Sequence, residues 1–200
     1  MRARRVLAVV GGLVLIGICG LNWLLIDANR TLLQRLDAAR GQKDFTVGEV
    51  LPPFSGVGLD AMRTEVQLAN DSRRTLLLVV STVCPACQAN HEPLRVLAAE
   101  LDPQEWQVVW LSRDPWSLTR GYFDLHPVAG TVLAEPSFGS YLRLGMRTVP
   151  RSFVLAPGGG VELAITGRLG DEQLQDLAGA VGLEERLDLL AAAAAPSGSS

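Results

Sequence analysis

From Val6 to Ile26 the chain runs 21 residues without a charge, and Asn22 is the one strongly polar side chain among them. At about 1.5 Å of rise per residue, a helix of that length matches a bilayer core of about 30 Å. Residues 6–26 therefore predict a transmembrane anchor. Arg2, Arg4 and Arg5 precede it, Asp27 follows it, and Trp23 sits near its far end where an indole suits the interface. By the positive-inside rule, residues 1–5 are a cytoplasmic basic tip and everything beyond the anchor lies outside. A cleaved signal peptide is the competing reading, but the run is longer than an h-region of about 7 to 15 residues, and no small-x-small cleavage site follows it. Cys19 follows Ile18 where a lipoprotein signal wants a small residue, so it reads as an apolar thiol within the helix.

Beyond the anchor, residues 27–46 predict a stalk: Leu32, Leu33, Leu36 and Ala39 recur at helical spacing before the polar break Gly41-Gln42-Lys43-Asp44. Leu76 to Val80 is a continuous apolar run, as in a strand buried on both faces. Leu94, Leu97, Ala98 and Leu101 then follow at i, i+3, i+4 and i+7, predicting a helix over Pro85 to Leu101 with a kink at Pro93. Trp106 to Leu111 predicts a second strand, which makes a β-α-β unit. Short elements follow: a helix over Trp116 to Phe123, a strand over Thr131 to Ala134 and a helix over Phe138 to Leu144. Arg151 to Ala156 and Val161 to Thr166 flank Pro157-Gly158-Gly159-Gly160, a hairpin signal. A helix with Asp171 as its N-cap buries Leu174, Leu177, Ala178 and Val181 and breaks at Gly182. A second helical piece covers 183–195, and 196–200 is a disordered tail.

Composition narrows the classes. With 48% hydrophobic and 20% charged residues, the chain is too apolar for disorder, and 200 residues allow one core. The net charge is −3, and outside the first 26 residues 15 bases face 21 acids, a net of −6. That acidity argues against a nucleic-acid partner, which is held largely by Lys and Arg on phosphates. Three cysteines and two histidines leave little from which to build a zinc site.

The chemistry is concentrated in Cys84-Pro85-Ala86-Cys87, where the buried strand gives way to the helix. This spacing puts both sulfurs on the first helical turn, close enough for a reversible disulfide. Unpaired backbone N–H groups and the helix dipole would favour the Cys84 thiolate, making it the nucleophile. Pro85 suits the first helical position and stiffens the turn. Cys87, one turn inside, would resolve a mixed disulfide by attacking Cys84. The bland readings are half of a metal site, for which no second pair exists, and an inert disulfide, whose loop is too short to confer much stability.

A strand, C-x-x-C at a helix start, a second β-α-β segment and then Thr148-Val149-Pro150 before a hairpin and a last helix resemble the thioredoxin fold. The likeness is to the membrane-anchored TlpA/ResA-like thiol-disulfide oxidoreductases and spans residues 47–182. The resemblance implies an α/β fold with a central mixed sheet flanked by helices, preceded by one transmembrane helix. It also implies a cis bond at Pro150, and a Val149 backbone that pairs with an extended partner segment. Residues 113–134 match the extra helix and strand of this branch, and Gly48 to Phe54 matches its opening segment. No cofactor is implied beyond the Cys84-Cys87 disulfide. Partners would be thiols and disulfides of exported proteins and a membrane thiol-disulfide electron donor. The setting would be the outer face of a bacterial inner membrane, typically in cytochrome c maturation. The stretch Ser81 to Cys87 is also similar to the thiol-disulfide accessory protein of methylamine utilisation, whose client is a disulfide-rich enzyme subunit.

Departures from the family pattern bear on the chemistry. Val83 stands where tryptophan is common, and Leu78 where ordinary thioredoxins have an acid, so the proton acceptor for Cys87 is not identified. His91 and Glu92 are candidates, against the plainer reading of a solvated helix face. Trp106, Trp110 and Trp116 read as packing. Arg73-Arg74, Arg143, Arg147 and Arg151 read as solvated loop charges or as a surface for an acidic partner. Pro85-Ala86 brings no charge or imidazole to the thiolate, which favours reduction over the reverse, oxidising or isomerising direction. A peroxiredoxin-like peroxidase is a rival reading, since Ser81 stands three positions before Cys84, although Leu77 replaces the proline that accompanies it. A non-catalytic adaptor holding clients beside Pro150 is a rival of another class.

Overall fold

A computed structural model of the chain describes residues 45–68, 72–134, 144 and 148–194, with single helical positions at 17, 19, 20, 22, 23 and 26. Apart from those positions the anchor expected over 6–26 lies outside the described residues. So do the stalk up to residue 44, the helix expected over Phe138 to Leu144 except Leu144 itself, and the tail 196–200. Among the described residues no helix is long and apolar enough to cross a membrane. The chain divides into two units, Met1–Gln42 and Lys43–Ser200, and the fold described here is that of the second.

The apolar run expected as a buried strand is β3 (Arg74–Val80), and Leu76, Leu77, Leu78 and Val79 are each 0% exposed. Its alternation separates two layers. Leu76, Leu78 and Val80 enter a core with Trp110, Val154 and the helices, while Leu77 and Val79 enter another with Val109, Leu111, Phe153 and Leu155. β4 (Trp106–Ser112) runs parallel to β3, and β5 (Thr131–Ala134) parallel to β4. On the other side of β3 lies the expected hairpin, β6 (Arg151–Leu155) and β7 (Val161–Thr166), with β6 antiparallel to β3. Two strands that the apolar pattern does not reveal, β1 (Phe54–Gly58) and β2 (Arg63–Val66), extend the far edge. Among the described residues the sheet is mixed and seven-stranded, in the order β2-β1-β5-β4-β3-β6-β7.

α1 (Pro85–Glu100) connects β3 to β4 and continues through Pro93, burying Leu94, Leu97 and Ala98. α2 (Trp116–Leu125) connects β4 to β5, and α3 (Asp171–Val181) follows the hairpin, burying Leu174, Leu177, Ala178 and Val181. The N-cap of α3 is Gly170 rather than Asp171. The Gln173 side chain accepts the Gly170 N–H at 2.9 Å, leaving Asp171 and Glu172 in the first turn, where their charge suits the dipole. Gly182, at φ 77°, ends the helix in the left-handed region. Beyond it a 3-10 turn, Glu184–Arg186, leads into α4 (Leu187–Ala194), which packs on α1. The opposite layer is closed by the segment before β1. There Gly48 N–H and Leu51 N–H each donate over 2.9 Å, to Val161 O and Gly159 O, and bury Phe45 and Leu51.

The turn into β5 depends on Gly130. Its φ is +99°, and a Cβ there would lie 2.5 Å from the Val108 carbonyl oxygen in β4. Gly130→Ala is expected to destabilise the protein by about 2 to 3 kcal/mol, read as a lower urea midpoint at unchanged m-value.

Candidate active site

The register between β3 and β6 pairs Val79 with Arg151, which brings Pro150 and Val149 to the end of β3 where the chain leaves for Cys84. The Val149-Pro150 bond is cis, as the resemblance implied. Cys84 is the N-cap of α1, with extended backbone at φ −91° and ψ 119°, and Pro85 opens the helix. Its Sγ accepts the Cys87 N–H at 3.4 Å and faces the Val149 carbonyl oxygen at 3.9 Å. Cys84 is half-buried, whereas Cys87 is buried, and both stand as free thiols. Thus the structure brings Cys84, Pro85, Ala86, Cys87, Val149 and Pro150 to one end of the sheet.

The two sulfurs differ electrostatically. Burial works against the Cys84 thiolate, but it is outweighed by the Cys87 thiol hydrogen-bonded to it, the N–H groups of Cys87 and Ala86, and the charge of Arg113. Its pKa therefore falls below that of an ordinary thiol. Burial pushes the Cys87 thiol up to about 12, helped by its bond to Cys84 and by the negative charges of Cys84 and Asp114. Ser81 N–H, donating to Cys87 Sγ at 3.4 Å, pulls the other way. A nucleophile at the rim and a protonated thiol behind it are what two-step disulfide exchange requires.

Asp114, which carries no motif in the sequence, is buried just beyond the end of β4. Its Oδ1 accepts from the Ser81 hydroxyl at 3.0 Å, and its Oδ2 accepts from Thr82 Oγ1 at 2.8 Å and from Thr82 N–H at 2.5 Å. The loop that delivers Cys84 is thus tied to β4 through one carboxylate. Gln88 Nε2 adds a bond to Thr82 O at 2.8 Å. The signal that would have found Asp114 is positional, since the carboxyl ends of parallel strands are where open α/β sheets gather functional groups.

Of the two acceptors considered for Cys87, Glu92 is on the solvent side and bonded to Arg95 Nε at 2.9 Å. His91 is not on a solvated face but is 8% exposed. It lies among Trp110, Tyr122, Phe123 and His126, with ring centroids 5.3 to 6.0 Å away. Its Nε2 has no hydrogen-bond partner among the described residues. Burial, then repulsion from His126, pushes its pKa down to about 4. The tryptophans pack as expected: Trp110 is 0% exposed and Trp106 6%, and Trp116 Nε1 donates to Gly58 O at 2.8 Å. Arg74 is less a loop charge than a lid, stacked over Trp106 at 4.4 Å and paired with Glu162. Among the described residues no three His, Cys, Asp or Glu side chains are grouped to hold a metal.

At neutral pH, iodoacetamide should alkylate Cys84 first and leave Cys87 unmodified until the protein unfolds, as mass-spectrometric peptide mapping would read. A second expectation concerns acid. Because His91 titrates near pH 4 when folded and near about 6.5 when unfolded, it lends full stability above the unfolded value. That contribution drains as pH falls through the interval, by up to about 3 kcal/mol. Urea midpoints should drop across this window, and less so in His91→Phe.

No protein-family model matches the chain, and no curated protein sequence matches it. Solved structures do. A putative thiol:disulfide interchange protein DsbE from Chlorobium tepidum is similar with a TM-score of 0.59 and 19% identity, over 70% of this chain and 100% of that one. A peroxiredoxin-like protein from Aquifex aeolicus gives 0.58 and 15%, over 70% and 90%. The thioredoxin domain of a thiol-disulfide oxidoreductase from Bacteroides vulgatus gives 0.54 and 13%, over 69% and 99%. The α/β fold of the described residues between 45 and 194 is thioredoxin-like, a mixed sheet with helices packed against it.

Proposed function

We propose that the chain is a thiol-disulfide oxidoreductase of the TlpA/ResA-like kind, acting through Cys84 and Cys87. The observation that carries this reading is the asymmetry of the pair. A thiol held below its ordinary pKa at a helix head faces the Val149 carbonyl, with a buried partner held at about 12 behind it. In the reducing direction, the Cys84 thiolate attacks a client disulfide and forms a mixed disulfide, and one client sulfur leaves. Cys87 then attacks Cys84, the second client sulfur leaves, and the Cys84-Cys87 disulfide remains. The Val149 backbone would dock the client as an added strand, giving affinity without demanding a particular side chain.

The setting follows from the charge pattern at the start of the sequence. Residues 6–26 would anchor the chain in a bacterial inner membrane, with residues 1–5 inside and the redox domain on the outer face, among exported proteins. Disulfides persist there, so a reductase in that place needs a membrane dithiol donor to restore its pair. Cytochrome c maturation is one such setting, and the disulfide-rich subunit of a methylamine-oxidising enzyme is a narrower candidate client. The similarity to a peroxiredoxin-like structure extends to the fold. Peroxide consumption surviving Cys87→Ser and lost in Cys84→Ser would favour that chemistry instead.

The direction is read by equilibrating the full chain with glutathione or dithiothreitol buffers and counting free thiols by mass spectrometry. A potential near the thioredoxin value of about −270 mV is expected for a reductase, and one near about −120 mV would mark an oxidase. A pair that never equilibrates would mean a structural disulfide and an adaptor rather than an enzyme.

A further inference from the structure

Beyond the pairing of Val79 with Arg151, the ends of β3 and β6 lead into two walls. One is the head of α1 with Cys84, the other the Val149-Pro150 loop, and Cys84 Sγ faces Val149 O across 3.9 Å. An extended client that pairs with the Val149 backbone must at the same time bring a sulfur to Cys84. The separation of the walls therefore decides whether both contacts are made at once. Asn90, on the second turn of α1, is 1% exposed and lies on its buried face with Leu94, Leu97 and Ala98. An amide in that place costs desolvation unless it is hydrogen-bonded. Its Nδ2 donates to Gly167 O at 3.1 Å, and its Oδ1 accepts from Leu169 N–H at 2.9 Å. Gly167 N–H in turn donates to Pro150 O at 2.9 Å. Gly167 is thus bonded to the loop through its N–H and to α1 through its carbonyl. We infer that Asn90 is a positioning residue for client docking, setting through Gly167 the separation of Cys84 from the Val149-Pro150 loop. This inference rests on the thiol-disulfide reading above.

The reactivity of the Cys84 sulfur is set elsewhere. The groups that favour its thiolate are the Cys87 thiol, the N–H groups of Cys87 and Ala86, and Arg113, whereas the Asn90 side chain bonds to Gly167 and Leu169. Losing the amide would leave Gly167 O and the buried Leu169 N–H without these bonds and let α1 shift against the loop. The thiolate would keep its own surroundings. A small aromatic disulfide needs an accessible Cys84 and nothing more. A disulfide carried on an extended polypeptide needs Cys84 and the Val149 backbone together, because the backbone pairing fixes where its sulfur lies. Asn90 therefore acts on one class of substrate, disulfides in extended polypeptide segments, and leaves small disulfides untouched.

The test gives the reduced full chain two disulfides with the same coloured leaving group. One is dithiobis(nitrobenzoate), which has no peptide backbone, and the other is an extended peptide whose single cysteine carries thionitrobenzoate. In each case the Cys84 thiolate attacks, a mixed disulfide forms and thionitrobenzoate leaves as a thiolate, so the first release reads the attack of Cys84. The native chain should react faster with the peptide, and N-methylation of the peptide backbone should abolish that preference. In Asn90→Ala the rate constant for the peptide should fall about 10- to 100-fold, the scale of a misplaced reactant. The rate with dithiobis(nitrobenzoate) and the pH midpoint of Cys84 alkylation should stay at their native values. Asn90→Asp keeps an acceptor for Leu169 N–H and lacks the amide donor for Gly167 O. It should show the same selective loss, and it decides the matter if Asn90→Ala does not fold. Equal slowing of both disulfides, or no change in either, overturns the inference, since an amide that merely supports the fold has no reason to distinguish them. A native preference that is absent, or that survives N-methylation, overturns it as well. A native chain that never releases the second thionitrobenzoate from dithiobis(nitrobenzoate), the mark of Cys87 resolving, would instead overturn the thiol-disulfide reading, and the inference with it.

Discussion

A helix begins with backbone N–H groups that have no partner within it, and something must accept from them. At the head of α1 part of that need is met by a sulfur: Cys84 Sγ takes the N–H of Cys87. The same contact that completes the helix lowers the proton affinity of the sulfur, so capping and activation are one interaction. The residue between the extended and helical backbone must be Cys84 itself, which is why the strand before it has to end where it does. Pro85 reinforces the boundary, since its missing N–H removes a donor that would otherwise go unsatisfied.

That boundary is held by the sheet. β3 lies between a parallel and an antiparallel neighbour and is enclosed on both faces, so its end is fixed from four directions. β6 brings Val149 and Pro150 to it, and β4 brings Asp114. Asn90 adds a fifth constraint from within α1, donating to Gly167 O at 3.1 Å and accepting from Leu169 N–H at 2.9 Å. The first turns of α1 are thus clipped to the chain leaving β7 as well as to the loop entering from β3. A site built this way takes its geometry from strands and helices that are themselves packed.

Much of this was legible in the chain. The apolar run of β3, the stripe of α1 and the glycine turn between β6 and β7 announce themselves because each buries side chains in a regular period. β1 does not, because its inward positions are Phe54, Gly56 and Gly58. A Cβ on Gly56 would lie 2.8 Å from Ala134 O, so the strand is packed by its lack of side chains, and periodicity cannot register that. His91 was readable in principle: continuing the stripe of Leu94, Leu97 and Ala98 one turn back reaches it and Cys87 together. Its polarity, not its position, suggested solvent. Asp114 was beyond local reading, since its meaning depends on Ser81 and Thr82, more than thirty residues away.

The margins of the sheet carry a separate consequence. β2 is four residues long, with Arg63, Thr64 and Glu65 in solvent, and β7 ends the other side with Glu162 and Thr166 exposed and a bulge in its pairing to β6. Short, charged or irregular margins are poor templates for an incoming strand. Among the described strands, copies of the chain crowded side by side therefore find no ready seam along which to polymerise into a continuous sheet.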